Sequence, residues 1–178
     1  MTRPARSSPV VLFTGPTFSG KSLSIELTAR QMTVEGMKAA GFVQRGVFDK
    51  EGRKTGYDLV RLTDGRTRLL ARRREDGRGW SFREDAFVFA HEAVMGEGDA
   101  CFVDEIGPME LQGRGHGAAL AAALEANRLV VITVREGLVE EIRRRMPSGR
   151  EILMLHHRPD RAPAPVKAIL SMLSRQHG

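Results

Sequence analysis

The sequence predicts an α/β fold in which helices cover both faces of a central, largely parallel sheet. Short apolar runs, typical of buried strands, alternate along the chain with longer segments that place apolar residues at helical spacing. The first apolar run is followed by a glycine-containing turn that opens directly into one of these helical segments. Strands that alternate with helices favour parallel pairing and therefore three layers.

The first elements are a strand, a helix and a second strand. Residues 9–14 are β-branched and apolar and end at Gly15-Pro16, which indicates a buried strand and a turn. Residues 21–35 predict a helix that ends before Gly36, because helix formers separate the apolar residues Leu23, Ile25, Leu27, Met32 and Val34. Residues 40–48 predict the next strand.

Residues 44–80 are predicted to form a small antiparallel hairpin and loop outside the parallel sheet. Residues 57–62 alternate enough for a strand, Asp64-Gly65 is a hairpin signal, and residues 67–71 would return. Residues 72–79 are rich in arginine and predict an exposed loop. The remaining elements are helices at 82–95, 118–126, 138–145 and 164–174, and strands at 100–103, 129–134 and 151–155.

Length and composition favour one domain over residues 1–178, with residues 1–8 as a flexible leader. No apolar run is long enough for a membrane span, and a single cysteine, Cys101, fits a reducing compartment. We therefore expect a cytoplasmic protein. We also expect it to be a monomer. The net charge of +6 suits polyanionic ligands, although the arginines at 66–78 and 143–145 are typical of solvated surfaces. With one Tyr and one Trp, nucleic-acid binding stays an open but disfavoured alternative.

A phosphate-binding motif follows the first strand. It matches G-x-x-x-x-G-K-[ST] at every fixed position, and its residues are Gly15, Pro16, Thr17, Phe18, Ser19, Gly20, Lys21 and Ser22. Glycines let such a loop point successive N–H groups at an anion, and the helix N-terminus adds further donors. Lys21 is expected to contact the β- and γ-phosphates and Ser22 to ligate Mg²⁺. Phe18 would pack beside the nucleotide or cover the loop.

Two acids end a buried strand later in the chain. Asp104 and Glu105 follow the apolar residues 100–103, and carboxylates at such a position need a partner because burial of an unpaired charge is costly. Beside a phosphate loop, Asp104 is the candidate Mg²⁺ residue and Glu105 the candidate that orients or deprotonates water. Cys101, inside the strand, is expected to be a small buried residue and not a nucleophile.

The run Val-Asp-Glu-Ile-Gly-Pro-Met-Glu-Leu at 103–111 resembles a nucleoside-triphosphatase family first described from a thermophile and also found in animals. The segments at 41–43, 56–60 and 140–143 resemble the same family in order. The resemblance implies a P-loop NTPase three-layer sandwich of the additional-strand, RecA-like type, and Mg²⁺-dependent hydrolysis of several nucleoside triphosphates. The family often has an Asn-Arg pair before its last helix. Here the pair is Asp160-Arg161, and Arg161 is the candidate for a contact with the base.

Other residues leave alternatives open. Arg135 follows the strand at 129–134 and would either stabilise charge on the γ-phosphate or face solvent. His156 and His157 are adjacent, so on a strand they point to opposite faces and do not form a two-histidine metal site. His91 and His116 are predicted to be surface residues.

Two further functions would use the same phosphate-binding motif. A small-molecule or nucleotide kinase needs an arginine-bearing lid, which residues 66–78 could supply, but the run at 103–111 favours a hydrolase. A slow nucleotide switch is the third hypothesis, although the Asn-Lys-x-Asp base reader of GTPase switches does not occur in the sequence.

Overall fold

The computed structural model describes residues 8–17, 19–126, 128–157 and 164–174, without the side chains of residues 164–166. Its strands are β1 (Val10–Gly15), β2 (Ala39–Phe48), β3 (Lys54–Arg61), β4 (Thr67–Arg73), β5 (Trp80–Phe82), β6 (Ala100–Ile106), β7 (Leu129–Arg135) and β8 (Ile152–His156). Its helices are α1 (Lys21–Val34), α2 (Glu84–Met95), α3 (Pro108–Leu111), α4 (Gly117–Glu125), α5 (Val139–Arg144) and α6 (Ala164–Ser174).

The strands form one sheet in the order β5-β4-β3-β2-β6-β7-β1-β8. Five neighbouring strands of this sheet pair in parallel: β2, β6, β7, β1 and β8. Strand β7 lies between β1, which carries the phosphate motif, and β6, which carries the two acids. The predicted α/β class and the additional strand of the RecA-like type are therefore confirmed.

The predicted hairpin excursion is larger than the sequence indicated. Strands β3, β4 and β5 pair antiparallel and continue the same sheet outward from β2. The arginine-rich segment contributes β4 before its exposed loop. Strand β5 was not predicted, because three residues are too few to show an alternating pattern. The predicted start of the next helix at Phe82 was accordingly wrong, since Phe82 ends β5.

Each face of the sheet buries its own hydrophobic core. One core lies under α2 and α4 and includes Phe42, Phe89 and Ile132. The other lies under α1 and α6 and includes Phe13, Phe102 and Leu173. Three apolar residues of α1 that helped to predict the helix do not join this core: Leu23, Leu27 and Val34 are exposed. None of the helices in the described ranges is both long and apolar enough to span a bilayer.

Candidate active site

The phosphate motif forms the turn between β1 and α1. Gly20 has φ 95°, in the left-handed region that favours glycine, and α1 begins at the next residue. No side chain caps this helix N-terminus, and its first turn carries no acidic residue. The first backbone N–H groups of a helix have no partner within the helix, so an uncapped and acid-free start suits an anion.

The Lys21 ammonium lies against the loop that precedes it. Its Nζ donates to the carbonyl oxygens of Gly15 at 2.9 Å and Pro16 at 2.8 Å, and the side chain is buried. An ammonium has three donors. Two of them therefore hold Lys21 at the loop, and the third can serve an oxygen of a ligand.

Asp104 is fully buried at the end of β6 and accepts hydrogen bonds from three elements. Its Oδ1 accepts from the Thr133 hydroxyl of β7 at 2.5 Å, and its Oδ2 accepts from the backbone N–H of Gln44 in β2 at 2.9 Å. The Ser22 hydroxyl of the phosphate loop also hydrogen bonds to this carboxylate. Burial raises the pKa of Asp104, and the hydrogen bonds act against that rise.

A β-bulge places Glu105 beside Asp104. The register between β6 and β7 shifts from Val103 opposite Ile132 to Ile106 opposite Val134, so that both acids face the single residue Thr133. Glu105 has φ 65°, and it is the one non-glycine residue with positive φ in the described chain. Its backbone N–H donates to the Thr133 hydroxyl at 2.5 Å. One hydroxyl thus holds the backbone of one acid and the carboxylate of the other.

Arg135 ends β7 and reaches the second acid. Its Nε lies 2.8 Å from Oε1 of Glu105, and both side chains are partly exposed. The residue opposite Arg135 in the parallel register is Gly15, the first residue of the phosphate motif. The structure therefore brings Arg135 to the same edge of the sheet as Glu105 and the loop. The contact of Arg135 with a γ-phosphate stays a prediction.

His116 is buried, and its predicted surface position is wrong. The Glu110 carboxylate accepts hydrogen bonds from the backbone N–H groups of Gly107 at 2.9 Å and His116 at 3.0 Å, which holds the glycine-rich segment against the sheet. The His116 ring packs 4.7 Å from Phe42 and 5.2 Å from Phe87. Burial lowers the pKa of His116 to about 4.

The remaining predicted residues divide into three groups. Pro16 and Thr17 are exposed at the loop, whereas Ser19 is half-buried. Cys101 is buried as predicted, and burial raises the pKa of its thiol to about 11, which disfavours a nucleophilic thiolate. Phe18 and Arg161 lie outside the described residues, so their predicted contacts stay predictions.

The donor set fits a magnesium ion better than a metal bound by protein alone. No group of three or more His, Cys, Asp or Glu residues within the described ranges could hold a metal. Ser22 and Asp104 instead offer one hydroxyl and one carboxylate close to each other. Mg²⁺ prefers few protein oxygens and keeps waters and substrate phosphates as its other ligands. Ser22 and Asp104 are the residues that would hold it here.

Sequence reasoning missed three residues of this site: Gln44, Thr133 and His157. Thr133 had a usable signal, since it is the one polar residue in the apolar run of β7 before Arg135. The other two had none, because Gln44 reaches Asp104 across two strands through its backbone N–H and its side-chain amide. His157 reaches the loop from a position far along the chain.

The fold and the site together define a P-loop nucleoside-triphosphatase. A phosphate loop joins β1 to α1, paired acids end β6, and a strand with a polar residue lies between the two. A family model described as NTPase matches residues 10–158. The chain belongs to this NTPase family, and the resemblance inferred from the sequence is confirmed.

Individual relatives agree with this assignment. The chain is 27% identical to the protein named Nucleoside-triphosphatase THEP1 from Methanothermobacter thermautotrophicus, over 94% of this chain and 98% of that one. It is 33% identical to the protein of the same name from Pyrobaculum aerophilum, over 67% of this chain and 68% of that one.

Two solved structures share the fold. A human cancer-related nucleoside triphosphatase is 23% identical and superposes with a TM-score of 0.73, covering 95% of this chain and 98% of that chain. THEP1 from Aquifex aeolicus is 22% identical with a TM-score of 0.63, covering 92% and 98% respectively.

Proposed function

We propose that this nucleoside-triphosphatase hydrolyses ATP, GTP and other nucleoside triphosphates to the diphosphate and phosphate, and that it requires Mg²⁺. The observation that carries the proposal is the bulge at Asp104 and Glu105. It sets one carboxylate against Ser22 of the phosphate loop and leaves the other partly exposed beside it. A hydrolase needs both positions, one for a metal and one for water.

The phosphate loop would bind the β- and γ-phosphates. Its support is the uncapped N-terminus of α1 together with the Lys21 ammonium, which has a donor left after its two loop carbonyls. Ser22 and Asp104 would hold Mg²⁺, which when bound neutralises charge that develops on the phosphate oxygens. The buried Asp104 carboxylate is fixed by Thr133 and Gln44, so it needs no rearrangement to serve as a ligand.

Glu105 would orient or deprotonate the attacking water. Its carboxylate is partly exposed and its backbone is pinned by Thr133, so the acid is accessible and fixed. The ion pair with Arg135 holds one carboxylate oxygen and leaves the other for water. If the Arg135 side chain turned from Glu105 to the nucleotide, it would stabilise charge on the γ-phosphate.

The single cysteine bears on the location of the protein. Because it is buried and free, it suits a reducing compartment, so we place the protein in the cytoplasm. We also propose that the protein acts as a monomer. Nucleic-acid binding is not part of the proposal. The arginine-rich segment is in part a paired strand of the sheet, which does not favour it as a kinase lid.

The decisive experiment measures phosphate release from ATP, GTP, CTP and UTP with and without Mg²⁺, for the wild type and for Glu105→Gln. We expect release only with Mg²⁺, and a variant that binds nucleotide without releasing phosphate. A wild type that binds nucleotide but releases phosphate from none of the four would refute hydrolysis and redirect the search to a phosphoryl acceptor. Release that is equal without Mg²⁺ would refute the metal requirement.

A further inference from the structure

His157 packs beneath the phosphate loop, although it lies more than 130 positions further along the chain. The residue directly follows β8, which pairs with β1 on the side away from β7. Its backbone N–H donates to the carbonyl oxygen of Thr14 at 2.7 Å, and its side chain is 4% exposed. The ring meets Phe13 edge-on at 5.6 Å. His157 is therefore fixed by the sheet before it touches the loop.

The His157 side chain contacts the C-terminal end of the phosphate loop and the helix that follows it, and it lies close to Gly15 at the other end. Nε2 lies 2.6 Å from the carbonyl oxygen of Ser19, and Nδ1 lies 3.4 Å from the hydroxyl of Ser24 in α1. At the other end, a Cβ on Gly15 would come within 3.0 Å of the Cβ and carbonyl oxygen of His157. A side chain at position 15 would therefore press against His157, which would have to shift.

The chemistry of these partners fixes the tautomer of the ring. A carbonyl oxygen only accepts hydrogen bonds, so the short contact to Ser19 requires the hydrogen on Nε2. Nδ1 is then the acceptor for the Ser24 hydroxyl. Each ring nitrogen has one partner, so the ring has one preferred orientation.

The contact to Ser19 acts on the next amide. In a planar trans peptide the C=O of one residue and the N–H of the next point in opposite directions. Holding the Ser19 carbonyl against the buried His157 therefore turns the Gly20 N–H to the exposed side of the loop. That N–H is one of the donors expected to meet a phosphate, and donors fixed in advance bind an anion better than mobile ones.

We propose that His157 is a positioning residue for the triphosphate: its Nε2–H holds the Ser19–Gly20 peptide in the orientation that presents the Gly20 N–H to phosphate. The inference rests on the proposed binding of triphosphate to the loop and goes beyond it by assigning the residue that sets the loop's conformation. His157 does not touch the reacting atoms, so its removal changes nucleotide affinity and KM more than kcat.

Four variants separate the hydrogen bond from packing. His157→Phe keeps an aromatic ring beside Phe13 but loses the donor. His157→Gln places an amide N–H near the position of Nε2, whereas the shorter His157→Asn places it near Nδ1 and does not reach Ser19. His156→Ala is the matched control, because its side chain is exposed on the neighbouring residue.

The readouts are Kd and KM for ATP with Mg²⁺, kcat, and the amide resonance of Gly20 in the free protein. We expect His157→Phe and His157→Asn to raise Kd and KM about tenfold, with kcat within about twofold. The Gly20 resonance should shift in both. His157→Gln should restore most of the affinity, and His156→Ala should match the wild type.

The outcomes distinguish this inference from the proposed function. If the wild type binds ATP but His157→Phe binds it equally well, the positioning role is wrong and the proposed function stands. If Gln and Asn behave alike, the Nε2 hydrogen bond is not the cause. If the wild type does not bind ATP, the proposed function fails. The role of His157 can still be tested in the free protein, since an unshifted Gly20 resonance in His157→Phe would refute it.

Discussion

The hydroxyl of Thr133 provides the sharpest test of how the two acids are held. Thr133→Val keeps the size and branching of the side chain and removes only the hydroxyl. That hydroxyl donates to Asp104 and accepts from the backbone N–H of Glu105, and all three groups lie at the bulge. The variant therefore leaves one buried acceptor and one backbone donor without their partners.

The size of the effect follows from these two groups. A buried polar group that loses its partner costs about 1–3 kcal/mol, so the two groups together should cost about 2–6 kcal/mol of unfolding free energy. For a chain of this length that is a fall in Tm of roughly 4–24 °C. We also expect kcat to fall about 10- to 100-fold, because a shift of about 1 Å in a catalytic group has effects of this order.

The chain contains a matched control on the neighbouring strand. Thr14 of β1 is also fully buried, but its hydroxyl has no hydrogen-bond partner among the described residues. Thr14→Val should therefore leave Tm unchanged or raise it. Thermal unfolding of both variants, followed by circular dichroism, measures the difference. If the two valine variants lower Tm by the same amount, the hydrogen bonds of Thr133 do not stabilise the site and the reasoning is wrong.

Three further predictions concern charge and strain at the site. Because burial raises the pKa of Asp104, its ionised form costs stability at neutral pH and the cost is relieved as the pH falls through that pKa. Asp104→Asn should then abolish phosphate release, and the Tm of the variant relative to the wild type should be lower in acid than at pH 7.5. A Tm difference that is the same at both pH values would contradict this. Glu105→Gly should be more stable than Glu105→Ala by about 0.5–1 kcal/mol, because only glycine adopts a positive φ without strain. If thermal unfolding gave the reverse order, the backbone at position 105 would not be strained. Because burial lowers the pKa of His116 to about 4, this histidine is protonated at a higher pH in the unfolded chain than in the folded one. The free energy of unfolding of the wild type should therefore fall by about 2 kcal/mol as the pH is lowered from 7 to 5. His116→Phe should lose this pH dependence in denaturant unfolding, and an unchanged slope would refute it.

The parallel half of the fold was predictable because its strands are buried on both faces. The strands at 10–15, 100–106 and 129–135 each begin with four consecutive apolar residues, and burial on two faces produces that pattern. The phosphate loop was predictable for a different reason, since its chemistry requires glycine, lysine and serine at fixed spacing.

The antiparallel extension and the buried His116 were not predictable from local patterns. Strand β5 pairs only through Ala71, Arg72 and Arg73 of β4, and such a short edge depends on its neighbour and not on its own sequence. His116 lies in a glycine-rich stretch that resembles an exposed loop. It is buried because Glu110, six residues earlier, ties its backbone down, a contact that no pattern of apolar residues shows.

The two acids show a feature of the site that reasoning from the sequence left out. Adjacent residues of a regular strand point to opposite faces of the sheet, so Asp104 and Glu105 could not both serve one site on an unbroken β6. The bulge removes this conflict by setting both opposite Thr133. It does so at the expense of a positive φ at a glutamate, in a conformation that glycine normally fills. A glycine there would relieve the strain but would remove the carboxylate, so a glutamate at this strained position favours a functional need for its side chain over a structural one.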